Sequence, residues 1–387
     1  MIGHDGEPAT SGPSPCRVLV VAGEASGDRH AAAVIARLHE SIGRVESRGM
    51  GGPSLASVGA HLDVDLRRTT AMGGVELLAR IHRIGGAWAR MLSVATRWRP
   101  DVALLVDLPE FNIPLGKRLR RAGIPVVGYV APQVWAWRPG RARDLSSAFD
   151  HVACVLPFES GTLRAAGVRA TFVGHPLIDQ DRMDRGEARH EVGLWSDTTC
   201  LALLPGSRPA EVARHLPPML EAAVRLRRRH GIEVVMALAP SLVHRPDVPS
   251  WVRVVSWPRF DQPGAAALAV ADAALVASGT ATLEAALAGV PQVAVCRLST
   301  ATYVLARIVV RCRYFALPNL ILGRRLVPEL LQGSATGEVM GDHIAAILDR
   351  PRLADAQREA RGEIVRRLEG PGAARTVADL VAGLAAS

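Results

Sequence analysis

Five short loops carry the residues best suited to chemistry, and each follows a run that reads as a buried strand. Asp107 ends the apolar run Val102–Val106 and opens Asp107-Leu108-Pro109-Glu110-Phe111-Asn112. A carboxylate at the carboxyl end of such a strand points into a cleft and can act as a general base, although bonding to loop amides is its commoner fate. Asn112 is expected to cap the next helix. The first loop, Gly23-Glu24-Ala25-Ser26-Gly27-Asp28, offers glycines for close backbone approach to a ligand, with Ser26 as the expected helix cap; a plain strand-to-helix turn is the alternative. It is not a G-x-G-x-x-G dinucleotide fingerprint.

Three further loops add anion-binding and stacking chemistry. In Leu204-Pro205-Gly206-Ser207-Arg208, followed by Glu211, backbone amides and a guanidinium can meet a phosphate. In Ala277-Ser278-Gly279-Thr280-Ala281-Thr282-Leu283-Glu284, amides and hydroxyls gather at a helix start that suits a pyrophosphate, and Glu284 can accept from a ribose diol. Pro132–Arg141 holds Trp135, Trp137, Arg138 and Arg141, able to stack on sugars or cover acyl chains and to pair with phosphate, or else to pin the loop to its own domain.

The elements that must position these loops alternate in type. Strand candidates Arg17–Ala22, Asp101–Val106, Val126–Val130 and His151–Val155 are separated by helix candidates Asp28–His39, Ile113–Ala122 and Glu159–Ala166. The pattern restarts with strands Cys200–Leu204, Glu233–Ala237, Val252–Val255, Ala273–Val276 and Gln292–Val295, and helices Pro217–Arg229, Thr282–Ala288 and Thr300–Val310. This alternation predicts an α/β fold of two Rossmann-like parallel-sheet domains facing a central cleft. The expected division is a disordered tail over 1–15, an N-terminal acceptor- and membrane-side domain over 16–178 and a linker over 179–191. A UDP-sugar-binding domain over 192–345 and C-terminal helices over 346–387, packing back toward the first domain, complete it.

Composition excludes several classes. The 387 residues carry 46 Lys+Arg against 37 Asp+Glu, a net +9 that favours phosphates or anionic headgroups as partners. No apolar run is long enough to cross a bilayer. The polar stretch Met1–Pro15 lacks the apolar core of a signal peptide. Five scattered cysteines with no C-x-x-C predict reduced thiols, a cytosolic compartment and no zinc site. No nucleic-acid-binding motif occurs, and the charge is spread along the chain. Leu77–Trp98 repeats apolar residues, Trp88 among them, at helical spacing beside four arginines. It reads as a surface helix packed on a sheet, or as a basic amphipathic helix lying on an anionic membrane, with Gly85-Gly86 expected to weaken or kink it.

These loops resemble lipid-A-disaccharide synthases, inverting GT-B glycosyltransferases of glycosyltransferase family 19. The resemblance runs through Gly23–Asp28, Met72-Gly73 with Val75-Glu76, Pro132–Arg138, Leu156–Glu159, Val173–Pro176, Leu203–Arg208 with Glu211, Ala277–Glu284 and Leu317-Pro318-Asn319-Leu320. Departures fall at Glu110, Gly74 and Cys296, where the family usually has Asp, a large apolar residue and Tyr.

The resemblance implies transfer from UDP-2,3-diacylglucosamine to 2,3-diacylglucosamine 1-phosphate, giving the β-1′,6-linked disaccharide 1-phosphate and UDP, in lipid A biosynthesis. It implies Asp107 as general base. It gives Gly206, Ser207, Arg208, Ser278, Gly279, Thr280, Glu284 and Asn319 to the UDP-sugar, and Glu24, Ser26, Gly27, Asp28, Met72 and Glu76 to the acceptor or cleft loop. Trp88, Trp135, Trp137 and Arg138 are the expected lipid contacts. No cofactor or metal is implied, since Arg208 can neutralise the leaving UDP; Asp63-Val64-Asp65 reads as surface structure. Peripheral binding at the cytoplasmic face of a Gram-negative inner membrane follows, and a homodimer is admitted. Another GT-B UDP-sugar enzyme (a UDP-GlcNAc transferase or 2-epimerase) is opposed by Pro132–Arg138 and Leu317–Leu320. A non-catalytic lipid- or nucleotide-binding relative is opposed by Asp107, Arg208 and Asn319 together.

Overall fold

The computed structural model describes residues 14–65, 77–130, 142–180, 182–242, 244–309 and 312–386. Most of the expected tail, together with Met72, Glu76, Trp135, Trp137 and Arg138, lies outside them.

The first half builds β1 (Cys16–Ala22), α1 (Ala25–Ile42), β2 (Val45–Gly51), α2 (Pro53–Ser57), β3 (His61–Asp65), α3 (Leu77–Trp98), β4 (Val102–Val106), α4 (Pro109–Arg121), β5 (Val126–Tyr129), α5 (Ala142–Ala148), β6 (His151–Cys154), α6 (Pro157–Ala165) and β7 (Ala170–Phe172). The second half builds α7 (Arg185–Val192), β8 (Cys200–Leu204), α8 (Pro209–His230), β9 (Glu233–Leu238), β10 (Val252–Ser256), α9 (Pro263–Val270), β11 (Ala273–Ala277), α10 (Thr280–Ala288), β12 (Gln292–Cys296), α11 (Thr300–Val309), α12 (Leu317–Leu322), β13 (Glu329–Leu331), α13 (Gly337–Asp349), α14 (Pro351–Leu368) and α15 (Ala373–Ala385).

Both sheets are parallel. Their strand orders are β3-β2-β1-β4-β5-β6-β7 and β10-β9-β8-β11-β12-β13. The central strands β4, β8 and β11 are apolar and buried throughout, as parallel strands covered on both faces must be. Strand order reverses between β1 and β4 and between β8 and β11, so a crevice opens at the carboxyl ends of these strands. The loops after all four are those singled out above for chemistry.

Several local expectations are corrected. The stretch 179–191 contains α7, whose start is capped by Asp184 on Gly186 N (2.8 Å) and Glu187 N (3.0 Å). Buried Arg189 on this helix donates to the carbonyls of Trp195, Ser196 and Thr198, each at 2.8 Å. Here a buried guanidinium, together with buried Ala188, binds the helix down. Helix α8 starts at Pro209 rather than Pro217, with Glu211 securing its first turn, and continues through Pro217 and Pro218. Helix α3 runs unbroken through Gly85-Gly86, with Met91, Val94 and Ala95 buried. Asp63 lies in edge strand β3, where it accepts 2.9 and 2.6 Å bonds from Arg48.

The last helix, α15, packs on α1, β4 and β5 of the first half, whereas α14 packs on α10, α12 and α13 of the second. The chain therefore crosses between halves near residue 174 and returns near residue 370, and the two crossings touch. His175 N donates to Leu368 O at 3.0 Å. A Cβ on Gly370 would stand 2.5 Å from the Gly174 amide nitrogen. Gly370→Ala should therefore cost about 1–3 kcal/mol by forcing two backbones apart, read as a lowered midpoint in denaturant unfolding.

Beside this junction, burial first and the Arg29 charge second push His30 down to about 4. Burial, with His30 as a second cause, pushes His175 down to about 3. The unfolded chain takes up these protons near pH 6.5 while the fold resists until about pH 4 or below, so the unfolded state binds more protons in that window. Stability should fall steadily as pH drops from 6.5 to 4, and His175→Gln should flatten that slope in pH-dependent thermal melts.

Candidate active site

At the end of β1, Gly23 leaves room for the neighbouring loop: a Cβ there would lie 2.2 Å from Leu108 Cδ2. Glu24, not Ser26, is the residue preceding α1, and its side chain makes no capping bond. Asp28 is fully buried and accepts from the amides of Gly52 (2.7 Å), Ser54 (2.9 Å) and Leu55 (3.2 Å). Its carboxylate holds the start of α2 and is spent on that task. Gly27 packs close to Val106. Of this loop, Glu24 alone has a carboxylate turned toward the other half of the chain.

At the end of β4 the backbone is strained. Asp107 and Leu108 adopt φ of 52° and 46°, a left-handed pair without glycine. Such conformations persist only where surroundings enforce them, and they gather at functional sites. The enforcing group is Asn112, buried inside α4 rather than capping it, whose Nδ2 donates to Asp107 O at 2.6 Å and Val106 O at 3.2 Å. Burial raises the Asp107 carboxyl above the usual carboxylate range and the charge of Glu24 raises it further, against the Leu108 amide and Arg208. A carboxylate with raised proton affinity is a stronger base at neutral pH.

Arg208 comes from the other half. Its Nη2 donates to Glu24 Oε1 at 3.0 Å, and its Nη1 lies 3.5 Å from Glu211 Oε1. Glu24, Asp107, Arg208 and Glu211 thus form one charged cluster at the two switch points. Gly206, at φ 120°, makes the turn possible, since a Cβ would fall 2.8 Å from Glu211 Oε2. That same oxygen accepts from Ser207 N at 3.2 Å. Beyond it, buried His215 bridges Pro205 O and Arg297 N, each at 2.9 Å. Sequence reading overlooked His215, because its partner lies 82 positions away.

At the end of β11, Ser278 N is already bonded to Val295 O at 2.8 Å and the Ser278 hydroxyl donates a long 3.5 Å bond to Phe315 O, so the hydroxyl oxygen and the Gly279 and Thr280 amides stand at the start of α10. Glu284, one turn on, makes no hydrogen bond or close ion pair among the described residues. Burial raises its carboxyl, opposed by Arg29 of α1. Its Oε2 faces Gly264, where a Cβ would approach to 3.4 Å.

Asn319 is placed differently from the expected ligand contact. It is fully buried, its Oδ1 accepts from Leu326 N (2.7 Å) and Val327 N (2.9 Å), and its Nδ2 donates to Val327 O (2.8 Å) and Glu329 Oε1 (2.9 Å). An amide has two donors and two acceptor sites, and all four are occupied. Glu329 Oε1 in turn accepts from Phe315 N and Ala316 N, while Leu317 N donates to Thr282 Oγ1. Asn319 therefore braces the segment that backs the α10 loop. Trp88 is half-buried against the core of the first half, with the Arg118 guanidinium 5.6 Å from its ring centroid.

A sequence model of the family described as "Lipid-A-disaccharide synthetase" matches residues 18–373. The lipid-A-disaccharide synthase of Myxococcus xanthus (strain DK1622) is 42% identical over 381 residues, covering 95% of this chain and 97% of its own. A UDP-GlcNAc 2-epimerase from Neisseria meningitidis, solved bound to UDP-GlcNAc, superposes with TM-score 0.62 at 13% identity, covering 95% of this chain and 98% of its own. The glycotransferase of kitacinnamycin does so with TM-score 0.62 at 17% identity, covering 96% and 100%. The two structures establish the GT-B architecture, and the sequence matches establish that the chain belongs to the lipid-A-disaccharide synthase family.

Proposed function

We propose that the chain makes the lipid A disaccharide by direct displacement. UDP-2,3-diacylglucosamine and 2,3-diacylglucosamine 1-phosphate give the β-1′,6-linked disaccharide 1-phosphate and UDP. The observation that carries the reading is the cross-cleft cluster in which Arg208 reaches Glu24 beside the strained, half-buried Asp107.

The donor diphosphate lies at the start of α10, against the Ser278 hydroxyl and the Gly279 and Thr280 amides, where the helix dipole favours anions. Gly206 and Ser207 line the same side, and Glu284 accepts from the ribose diol. Arg208 exchanges Glu24 for the diphosphate. That exchange costs little, because so exposed a pair contributes only ~0–1 kcal/mol after solvent screening. Asp107 takes the acceptor 6-hydroxyl proton as that oxygen attacks the anomeric carbon opposite UDP, inverting it. Arg208 stabilises charge on the departing UDP. The acceptor enters from the first half, past the Gly23–Asp28 loop.

Both substrates carry acyl chains, so the enzyme works against a lipid surface at the cytoplasmic face of the inner membrane. Among the described residues no helix is long and apolar enough to cross a membrane. The net charge of +9 favours an anionic surface, with Trp135, Trp137 and Arg138 as contacts.

The test is turnover in mixed micelles with EDTA, following disaccharide and UDP by mass spectrometry. Asp107→Asn should lower kcat about 10²–10⁴-fold with UDP binding intact. The wild-type rate should fall as pH drops through the raised Asp107 value, and that acid limb should vanish in the variant. UDP release without disaccharide would point to a hydrolase or epimerase instead. Asn319→Ala, which orphans buried amides, should cost about 1–3 kcal/mol in unfolding and weaken donor binding while the Asp107 acid limb persists.

A further inference from the structure

A cavity of about 500 Å³ opens beside the donor loop, between α8 and the segments that follow β12 and β13. Its lining includes Arg214, Pro217, Pro218, Arg297, Leu298 and Gln332. None of these belongs to the site described above.

The wall carrying Arg297 is held at three points. Arg297 N donates to His215 Nε2 at 2.9 Å, Leu298 N donates to Gln332 Oε1 at 2.6 Å, and Gln332 Nε2 donates back to Leu298 O at 3.2 Å. Pro205 O can only accept, so His215 Nδ1 carries the proton and Nε2 is free to receive the Arg297 amide. Gln332 adopts φ 52°, a left-handed strain held by its two hydrogen bonds with Leu298. The fold thus spends two polar side chains and a strained backbone on placing Arg297.

Arg297 shares the cavity with another cation, Arg214. Arg214 Nη1 bonds only the Ala210 carbonyl of its own helix, at 3.0 Å. Neither arginine makes a carboxylate contact among the described residues. Their charges both oppose protonation of His215, after burial and in addition to it. Two arginines lining one cavity, with no carboxylate bonded to either among the described residues, over a floor of two prolines and a leucine, match a phosphate carried on an apolar body.

The position matches one end of the acceptor. His215 ties the cavity to Pro205, in the loop that carries Arg208. Arg214 lies six residues along α8 from Arg208, a rise of about 9 Å. On the acceptor sugar, the 1-phosphate and the arm bearing the 6-hydroxyl stand on the two carbons that flank the ring oxygen, so a phosphate held beside the Arg208 loop keeps the 6-hydroxyl close to that loop. We propose that Arg214 and Arg297 form the acceptor's phosphate subsite, with Pro217, Pro218 and Leu298 meeting the adjoining acyl chain. This rests on the proposed transfer reaction and orients the acceptor so that its 6-hydroxyl reaches Asp107.

The experiment compares 2,3-diacylglucosamine 1-phosphate with 2,3-diacylglucosamine lacking the phosphate, as acceptors for wild type, Arg214→Gln, Arg297→Gln and Arg297→Lys. A site built to pair a phosphate should make the wild type prefer the phosphorylated acceptor by roughly 100-fold in kcat/KM. Each Gln variant should raise KM for that acceptor about tenfold or more, leaving donor KM and turnover of the phosphate-free acceptor within about twofold, with Arg297→Lys recovering part of the preference. Variants that keep the wild-type preference would overturn the proposal. So would variants that keep it but lose sedimentation with phosphatidylglycerol vesicles, which would make the cavity a reader of membrane headgroups. If the wild type makes no disaccharide from either acceptor, the transfer reading fails. Equilibrium binding of the 1-phosphate lipid then decides the pocket alone: weaker binding to the Gln variants upholds the subsite, and equal binding removes it.

Discussion

Parallel strands all deliver the chain to the same edge of a sheet, and that edge stays open only where strand order reverses. In this protein the reversals fall between β1 and β4 and between β8 and β11. Gly23–Asp28, Asp107, Arg208 and Ser278–Glu284 all emerge at those two places. The site is therefore assembled by topology before any side chain makes a contact. The Arg208–Glu24 bond is where the two edges meet.

Around that meeting point, polar groups divide by what they already hold. Asp28, Asn112, His215 and Asn319 are buried and committed to backbone partners, each across a gap in sequence. A buried polar group left unpaired costs about as much as a lost hydrogen bond or more, so Asp28, His215, Asn319 and the side-chain amide nitrogen of Asn112 are consumed by the fold. Glu24, Asp107, Arg208 and Glu284 are held more loosely, by charge and by partial burial. They keep the capacity to exchange a partner, which is what a reacting ligand requires.

The hinge between halves follows a similar economy of space. The outgoing strand end at Gly174 and the return at Gly370 pack backbone on backbone, and the final helix α15 closes against the first half. Both crossings therefore lie at one locus.

Much was legible in the sequence, because apolar strand runs and Gly-rich turns are local signals. The central strands, the alternation into two α/β units and the five loops follow from periodicity and turn chemistry alone. Strands β2 and β3 did not, since their polar residues pair across strands, as Arg48 does with Asp63. Helix α7 did not, since a buried arginine anchors it. The assignment of roles within motifs needed the tertiary structure. Asn319 reads as a ligand contact until its four bonds are seen, and the Arg214–Arg297 cavity depends on His215 and Gln332, which reach 82 and 34 residues away. Sequence determines which groups stand at strand ends, because the periods of strands and helices are local. Only the tertiary structure decides which of those groups remain unspent, because their hydrogen-bond partners come from distant parts of the chain.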